Sequence, residues 1–112
     1  MKTDRIILIT GLTGTGKTTL LQFFAEGQGS KIQHLNENGR ETATSVIAKI
    51  DWIKHNVVII EEFEAIDEQL APMMRELIHV LEKMNRRLII VAQMDKLKSL
   101  EGVELKKFRL QY

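Results

Sequence analysis

The chain contains no cysteine and only one proline among its 112 residues. Without cysteine it can have neither a disulfide framework nor thiol chemistry. Long hydrophobic runs are also lacking, because no apolar segment approaches the roughly 18–20 residues that a membrane-spanning helix needs. The first five residues lead straight into an apolar segment and show no signal-peptide pattern. We therefore expect a cytoplasmic protein without a membrane span.

A large excess of charge of one sign is missing too, since 16 basic and 15 acidic side chains leave a net charge of +1. This balance argues against nucleic-acid binding by bulk charge. The charges are unevenly distributed, however. Residues 61–76 carry six acids and one base, whereas residues 96–109 carry five bases and two acids. The basic segment could contact phosphates, or it could be a solvated edge strand protected by lysines, and the sequence favours neither.

The length and an apolar fraction of 44% fit one globular domain over residues 1–112. Three segments are apolar throughout, which is typical of parallel strands covered on both faces. They are residues 6–10, 57–60 and 88–92. Weaker strand patterns occupy residues 31–35 and 103–110. Segments with helical spacing of apolar residues separate the strands, at about residues 16–25, 41–54 and 64–85. This alternation predicts a three-layer α/β fold with a mainly parallel sheet of about five strands flanked by helices.

The most specific motif follows the first apolar segment. Residues 11–18 fit the pattern G-x-x-x-x-G-K-T between a predicted strand and a predicted helix, which is the context of a P-loop. Gly11, Gly14 and Gly16 lack Cβ atoms, so backbone N–H groups can wrap a triphosphate there. The helix that begins near Gly16 turns its positive end towards the anion. A glycine-rich turn that fits by chance is the alternative, but pattern and context both match a P-loop NTPase fold.

The motif assigns roles to its polar residues. Lys17 is predicted to reach the β- and γ-phosphates and to act in catalysis, and Thr18 is predicted to place its hydroxyl on Mg²⁺. The predicted nucleotide-binding residues are Gly11, Leu12, Thr13, Gly14, Thr15, Gly16, Lys17, Thr18 and Thr19.

Two glutamates and a glutamine come at the ends of the other apolar segments. Glu61 and Glu62 follow residues 57–60, and Gln93 follows residues 88–92. Ligands of open α/β sheets bind beyond the carboxyl ends of the strands, so we expect these side chains to converge with the P-loop. Glu61 is the candidate metal ligand and Glu62 the candidate general base that activates water. Gln93 is the candidate that hydrogen-bonds the γ-phosphate or the attacking water. Alternatively, the acids cap the next loop and Gln93 bonds backbone.

These residues resemble the additional-strand, catalytic-glutamate branch of P-loop ATPases. Within that branch the chain is most similar to the FtsK–HerA group of DNA translocases, conjugation ATPases and viral packaging motors. The resemblance rests on the P-loop, on Val57-Val-Ile-Ile-Glu-Glu-Phe-Glu-Ala, on Leu88-Ile-Ile-Val-Ala-Gln and on Phe108-Arg-Leu. It implies that a strand ending at Gln93 separates the acidic strand from the P-loop strand. Glu61 departs from the usual aspartate by one methylene.

The resemblance also implies an activity and an assembly. It implies ATP hydrolysis with Mg²⁺ by a homo-oligomer that moves DNA or DNA–protein complexes, with DNA as a candidate partner. Members of the group tend to carry an arginine before the sensor strand that acts on the neighbouring subunit. Arg86 and Arg87 are the nearest candidates here and Arg75 is a more distant one, the alternative for each being a solvated helix end.

Two other functions stay open. A small-molecule or nucleotide kinase would need an arginine-bearing lid, and nothing between Glu64 and Asn85 resembles one. A nucleotide-dependent switch would bind ATP or ADP without fast turnover. A GTPase is disfavoured, because the chain has no Asn-Lys-x-Asp motif.

Overall fold

The computed structural model describes residues 5–11, 31–35, 42–94 and 96–110. Five strands lie within these ranges: β1 (Ile6–Gly11), β2 (Ile32–Leu35), β3 (Val57–Ile60), β4 (Arg87–Ala92) and β5 (Lys106–Leu110). They form one sheet in the order β2-β3-β4-β1-β5, and every adjacent pair is parallel. The predicted α/β class with a parallel sheet is confirmed. β4 separates β3 from β1, as the resemblance implies.

The two faces of the central strands pack into different hydrophobic clusters. Alternate residues of β1, β3 and β4, among them Leu8, Ile60 and Ile90, belong to the larger cluster. The residues between them form the second cluster, which consists of Ile9, Val57, Ile59, Ile89 and Val91 with Ile7 and Ile32 packed against it. Burial on both faces explains why these strands are continuous apolar runs without polar alternation.

Three α-helices fall within the described ranges: α1 (Ala43–Ala48), α2 (Asp67–Leu70) and α3 (Met74–Met84). Each contributes side chains to the larger cluster, among them Val46, Leu70 and Leu81. The Thr42 hydroxyl caps α1 by accepting the N–H of Ser45 at 3.2 Å. None of the described helices is long and apolar enough to cross a membrane.

The prediction of a helix over residues 41–54 was wrong in its C-terminal half, because α1 ends at Ala48. Asp51 supplies the physical reason. Its Oδ1 atom accepts the N–H groups of Ile53 and Lys54, both at 3.1 Å. An aspartate that bonds backbone two and three residues ahead offers the chain a turn in place of another helical turn.

The apolar pattern over residues 64–85 does hold a helix, α3, which is the longest that the structure describes, but α3 does not fill the whole region. The chain instead forms a 3₁₀ turn (Phe63–Ala65), α2, a second 3₁₀ turn (Ala71–Met73) and then α3. Pro72 lies in the second turn. Proline has no N–H to donate, and its ring clashes with the carbonyl one turn earlier, so the helix is interrupted there. The final strand is also shorter than the predicted 103–110, and a 3₁₀ turn (Lys98–Leu100) precedes it. The helix predicted at 16–25 lies outside the described residues.

Candidate functional site

The strand register brings Gly11 and Gln93 to the same edge of the sheet. Thr10 in β1 pairs with Ala92 in β4, so Gly11 and Gln93 each lie one residue beyond a matched pair. Gly11 has a φ of 156°, a positive value that glycine adopts without a Cβ clash. The predicted P-loop therefore leaves the sheet beside the end of the predicted sensor strand. Residues 12–19 of that loop, including Lys17 and Thr18, lie outside the described residues.

Glu61 and Glu62 leave the sheet at the same carboxyl edge. The pairing of β3 with β4 ends at Ile60 and Ile90. The N–H of Glu61 then donates to the carbonyl of Leu35, the last residue of β2, at 3.1 Å. Glu61 is half-buried, whereas the neighbouring Glu62 is exposed. The two carboxylates therefore sit in different environments at the end of one strand, as two different roles would require.

Glu62 has a strained backbone. Its φ of 51° and ψ of 46° are left-handed helical values, which cost a residue with a Cβ atom about 1 kcal/mol or more. Phe63 follows directly and is fully buried in the larger cluster. The end of β3 on one side and the buried Phe63 ring on the other thus hold Glu62 in this conformation. Backbone strain of this kind is concentrated at functional sites, where the surrounding structure maintains it.

The carboxylate of Glu61 at this edge is of a ligand type that magnesium ions take in proteins. No group of three or more His, Cys, Asp or Glu residues within the described ranges could hold a metal ion. Mg²⁺ is usually bound by one or two carboxylates together with phosphates and water. A single carboxylate at Glu61 is consistent with that mode of binding, in which the triphosphate supplies further oxygen ligands.

Two acidic residues that the sequence analysis missed connect the segments that follow β3 and β4. The carboxylate of Glu64 accepts the backbone N–H of Gln93. Asp67, only 8% exposed, accepts the N–H of Lys98 at 2.7 Å and the N–H of Ser99 at 2.9 Å. Its Oδ1 atom also accepts the Ser99 hydroxyl at 2.6 Å. These bonds join segments about 30 residues apart, so sequence spacing alone gives no signal for their partners.

Arg86 and Arg87 lie at the opposite edge of the sheet. Arg87 begins β4 and pairs with Val57, the first residue of β3. At about 3.3 Å per strand residue, Arg87 is roughly 16 Å from Ala92 at the far end of its own strand. The Nε atom of Arg86 donates to the carbonyl of Trp52 at 2.7 Å. Neither arginine is at the edge where Glu62 and Gln93 lie in the same protomer.

Arg75 lies near the start of α3, on the stretch that comes from Glu62, and it is exposed. It lines a cavity of about 820 Å³ between α3 and residues 98–104, together with Arg5 and Glu82. Among the predicted site residues that the structure describes, none of Gly11, Glu61, Glu62 and Gln93 lines this cavity. We therefore do not identify this cavity with the predicted nucleotide site.

The chain between β3 and β4 contributes to the core. Phe63, Ile66, Leu70 and Leu81 from this stretch are fully buried. A kinase lid must move over a substrate and cannot bury so many side chains permanently. The packing of this stretch therefore argues against a lid at this position.

Comparison with known proteins supports this interpretation of the fold. Residues 1–110 match the model of the AAA domain family. A crystal structure described as a DNA replication initiation factor is similar, with a TM-score of 0.54 and 16% sequence identity. The match covers 96% of this chain and 40% of that chain, so this chain spans less than half of its neighbour. At this identity the likeness concerns the fold alone. No curated protein matches the sequence.

Proposed function

The chain belongs to the AAA domain family, and from this premise we propose that residues 1–112 act as one domain that binds ATP with Mg²⁺ and hydrolyses ATP. The observation that carries the proposal is the shared edge of β1, β3 and β4. Gly11 ends β1 at that edge, the Glu61-Glu62 pair and Gln93 follow β3 and β4 there, and β4 lies between the other two strands. Nucleotide sites of open parallel sheets form at such an edge.

We assign the chemical roles as follows. Lys17 and the loop amides neutralise the phosphates, while Thr18 and Glu61 hold Mg²⁺. Glu62 accepts a proton from water as the water oxygen attacks the γ-phosphorus, and the bond to the β–γ bridging oxygen breaks to release ADP and phosphate. Gln93 hydrogen-bonds the γ-phosphate or the attacking water. The exposure of Glu62 supports its role, because the base must reach a water molecule.

We propose further that the active form is a homo-oligomer in which a neighbour supplies an arginine. Such an arginine can raise the rate of phosphoryl transfer by about 10³–10⁵. Arg86 is the weakest of the three candidates, because its Nε atom is bonded to the Trp52 carbonyl. We favour Arg75, because it is exposed and is the second residue of α3, on the stretch of chain that follows Glu62. Arg87 could act only if the neighbour contacts the opposite edge of the sheet.

DNA is the partner that we propose for this oligomer, as in the FtsK–HerA group that the motifs resemble. The exposed edge strand supports it. Lys106, Lys107 and Arg109 of β5 are exposed, and Phe108 between them is 49% exposed. Cations suit phosphates and an exposed aromatic ring suits base stacking. The similar structure is described as a DNA replication initiation factor, which is consistent with a function on DNA.

The test is ATP turnover per protomer over a wide range of protein concentration, with and without DNA. We expect a rate per protomer that climbs with concentration and climbs further with DNA. Glu62→Gln should abolish turnover and spare ATP binding. Glu68→Gln is the matched control, because Glu68 is an exposed glutamate on α2. Tight binding with no turnover at any concentration would contradict hydrolysis and identify a nucleotide-dependent switch instead.

A further inference from the structure

We propose that Glu64 is a positioning residue that sets the place of Gln93 relative to Glu62, with Asp67 anchoring the segment that follows Gln93. The inference rests on the proposed ATPase function. It assigns to Glu64 and Asp67 a task that the nucleotide-binding motifs do not cover.

The stretch that carries both acids is fixed to the core. Phe63 and Ile66 are 0% exposed and flank Glu64 on either side in sequence. The N–H of Ile66 donates to the carbonyl of Phe63, and the N–H of Leu70 donates to the carbonyl of Ile66. Glu64 and Asp67 therefore project from a rigid base that begins at Phe63, directly after Glu62.

The two acids hold the other segment at two points. Glu64 accepts the N–H of Gln93, the first residue after β4. Asp67 accepts the N–H groups of Lys98 and Ser99 at 2.7 Å and 2.9 Å. Hydrogen bonds to a carboxylate are shorter and stronger than bonds between neutral groups. Residues 93–99 are thus attached at both ends to the stretch that follows Glu62.

The contacts begin where the strand pairing of β3 and β4 stops. Their backbone register ends at Ile60 and Ile90, whereas β4 continues to Ala92. Beyond Ile60 the chain turns away through the left-handed Glu62. The bond from Gln93 to Glu64 therefore replaces strand pairing as the link between the proposed base and the proposed sensor.

Catalysis by positioning requires such a link. Groups that act on one reacting centre must be held within about 0.5 Å, and a misplacement of about 1 Å can reduce the rate by roughly 10²-fold. We expect Glu64→Ala to lower kcat by about 10- to 100-fold while KM for ATP changes by less than about threefold. Glu64→Gln keeps an acceptor oxygen on the side chain and should restore most of the rate.

A double-mutant cycle separates positioning of Gln93 from a general loss of structure. Turnover is measured for Glu64→Ala, Gln93→Ala and the double variant, with Glu68→Ala as the control on the same stretch. If Glu64 acts through Gln93, Glu64→Ala should cost little in a protein that already lacks the Gln93 side chain. If the fold-loss in turnover of the double variant equals the product of the two single losses, Glu64 does not act through Gln93. That result would overturn the proposal while leaving the ATPase function intact.

A measurement without turnover tests the contact itself. Amide hydrogen exchange of Gln93 is followed by NMR in the nucleotide-free protein. We expect Glu64→Ala to speed exchange of this amide at least about tenfold, and Glu64→Gln and Glu68→Ala to leave it nearly unchanged. Unchanged protection in Glu64→Ala would overturn the proposal whether or not the protein hydrolyses ATP. If Glu64→Ala speeds exchange of the Gln93 amide but the unaltered protein shows no ATP turnover, the contact is real and the proposed ATPase function is wrong. The catalytic task of Glu64 is then wrong with it.

Discussion

The hydroxyl of Ser99 donates a 2.6 Å hydrogen bond to the carboxylate of Asp67, which lies 32 residues earlier in the chain. The same carboxylate accepts two backbone N–H groups, from Lys98 and Ser99. A buried carboxylate is tolerated only when hydrogen bonds replace its water shell, and three donors do so here. Asp67 thereby ties the segment after β4 to the segment after β3.

We expect Asp67→Ala to lower the free energy of unfolding by about 2–4 kcal/mol, because two backbone N–H groups and a hydroxyl lose a charged acceptor. Urea denaturation followed by circular dichroism measures the change. Glu68→Ala is the matched control and should stay within about 0.5 kcal/mol of the wild type, since Glu68 is exposed. If Asp67→Ala and Glu68→Ala lower the free energy of unfolding equally, the hydrogen bonds to Asp67 do not stabilise the protein measurably.

The strained backbone of Glu62 predicts a separation of stability from activity. Glycine adopts left-handed values without the Cβ penalty, so Glu62→Gly should leave the free energy of unfolding unchanged or raise it by up to about 1 kcal/mol. The same variant should have no ATP turnover, because it lacks the proposed base. Urea denaturation and an ATPase assay on one protein sample measure both quantities.

Asn85 offers the control for that experiment. It has a similar left-handed conformation, with a φ of 58°, but it ends α3 at the opposite edge of the sheet. Asn85→Gly should therefore leave stability within about 1 kcal/mol of the wild type and leave turnover intact. Active Glu62→Gly would contradict the base assignment, and a marked loss of stability in that variant would contradict the strain.

Arg75 can be tested by mixing two inactive variants. Glu62→Gln lacks the proposed base and keeps Arg75, whereas Arg75→Ala keeps the base and lacks the proposed arginine. If Arg75 acts on the neighbouring subunit, mixed oligomers contain some interfaces with both groups intact. The mixture should then hydrolyse ATP at a rate well above the sum of its components.

Arg86 and Arg87 provide the comparison for the mixing experiment. The same mixture is prepared with Arg87→Ala in place of Arg75→Ala. Arg86→Ala is followed by urea denaturation, and it should lower stability because it removes the donor to the Trp52 carbonyl. If the mixture with Arg75→Ala hydrolyses ATP no faster than the sum of its components, whereas the mixture with Arg87→Ala does, then Arg87 and not Arg75 acts on the neighbouring subunit.

The strands were predictable from the sequence, whereas the helices and part of the site were not. A strand buried on both faces is a continuous apolar run, so β1, β3 and β4 were predicted to within one residue at each end. The helix predicted at 41–54 was too long, because periodicity does not register the turn that the Asp51 side chain stabilises, and the helix within residues 64–85 begins only after Pro72. Glu64 and Asp67 could not be found because their partners lie about 30 residues away. The roles of Lys17, Thr18 and the rest of the loop stay predictions.

The basic residues of β5 lie on an exposed edge of the sheet, which fits both alternatives for this segment: contact with phosphates and a solvated edge strand protected by lysines. Successive residues of a strand point to opposite faces. Lys107 therefore shares a face with Arg109, and Phe108 points to the other face. Contact with single-stranded DNA and protection of the edge against aggregation make different predictions for these residues.

If β5 binds single-stranded DNA, Phe108→Ala should weaken binding by about 5- to 100-fold through lost stacking, with little change in salt dependence. The double variant of Lys107 and Arg109 to Ala should reduce the slope of log affinity against log salt by about 1.4. Fluorescence anisotropy with a labelled oligonucleotide at several salt concentrations measures both effects.

The double variant of Lys54 and Lys83 to Ala removes the same charge from exposed positions outside β5 and should leave the slope nearly unchanged. If both double variants change the salt slope equally, DNA affinity depends on the net charge of the protein and not on β5. Aggregation of the β5 variants with unaltered DNA affinity would instead identify the cations as protection of the sheet edge.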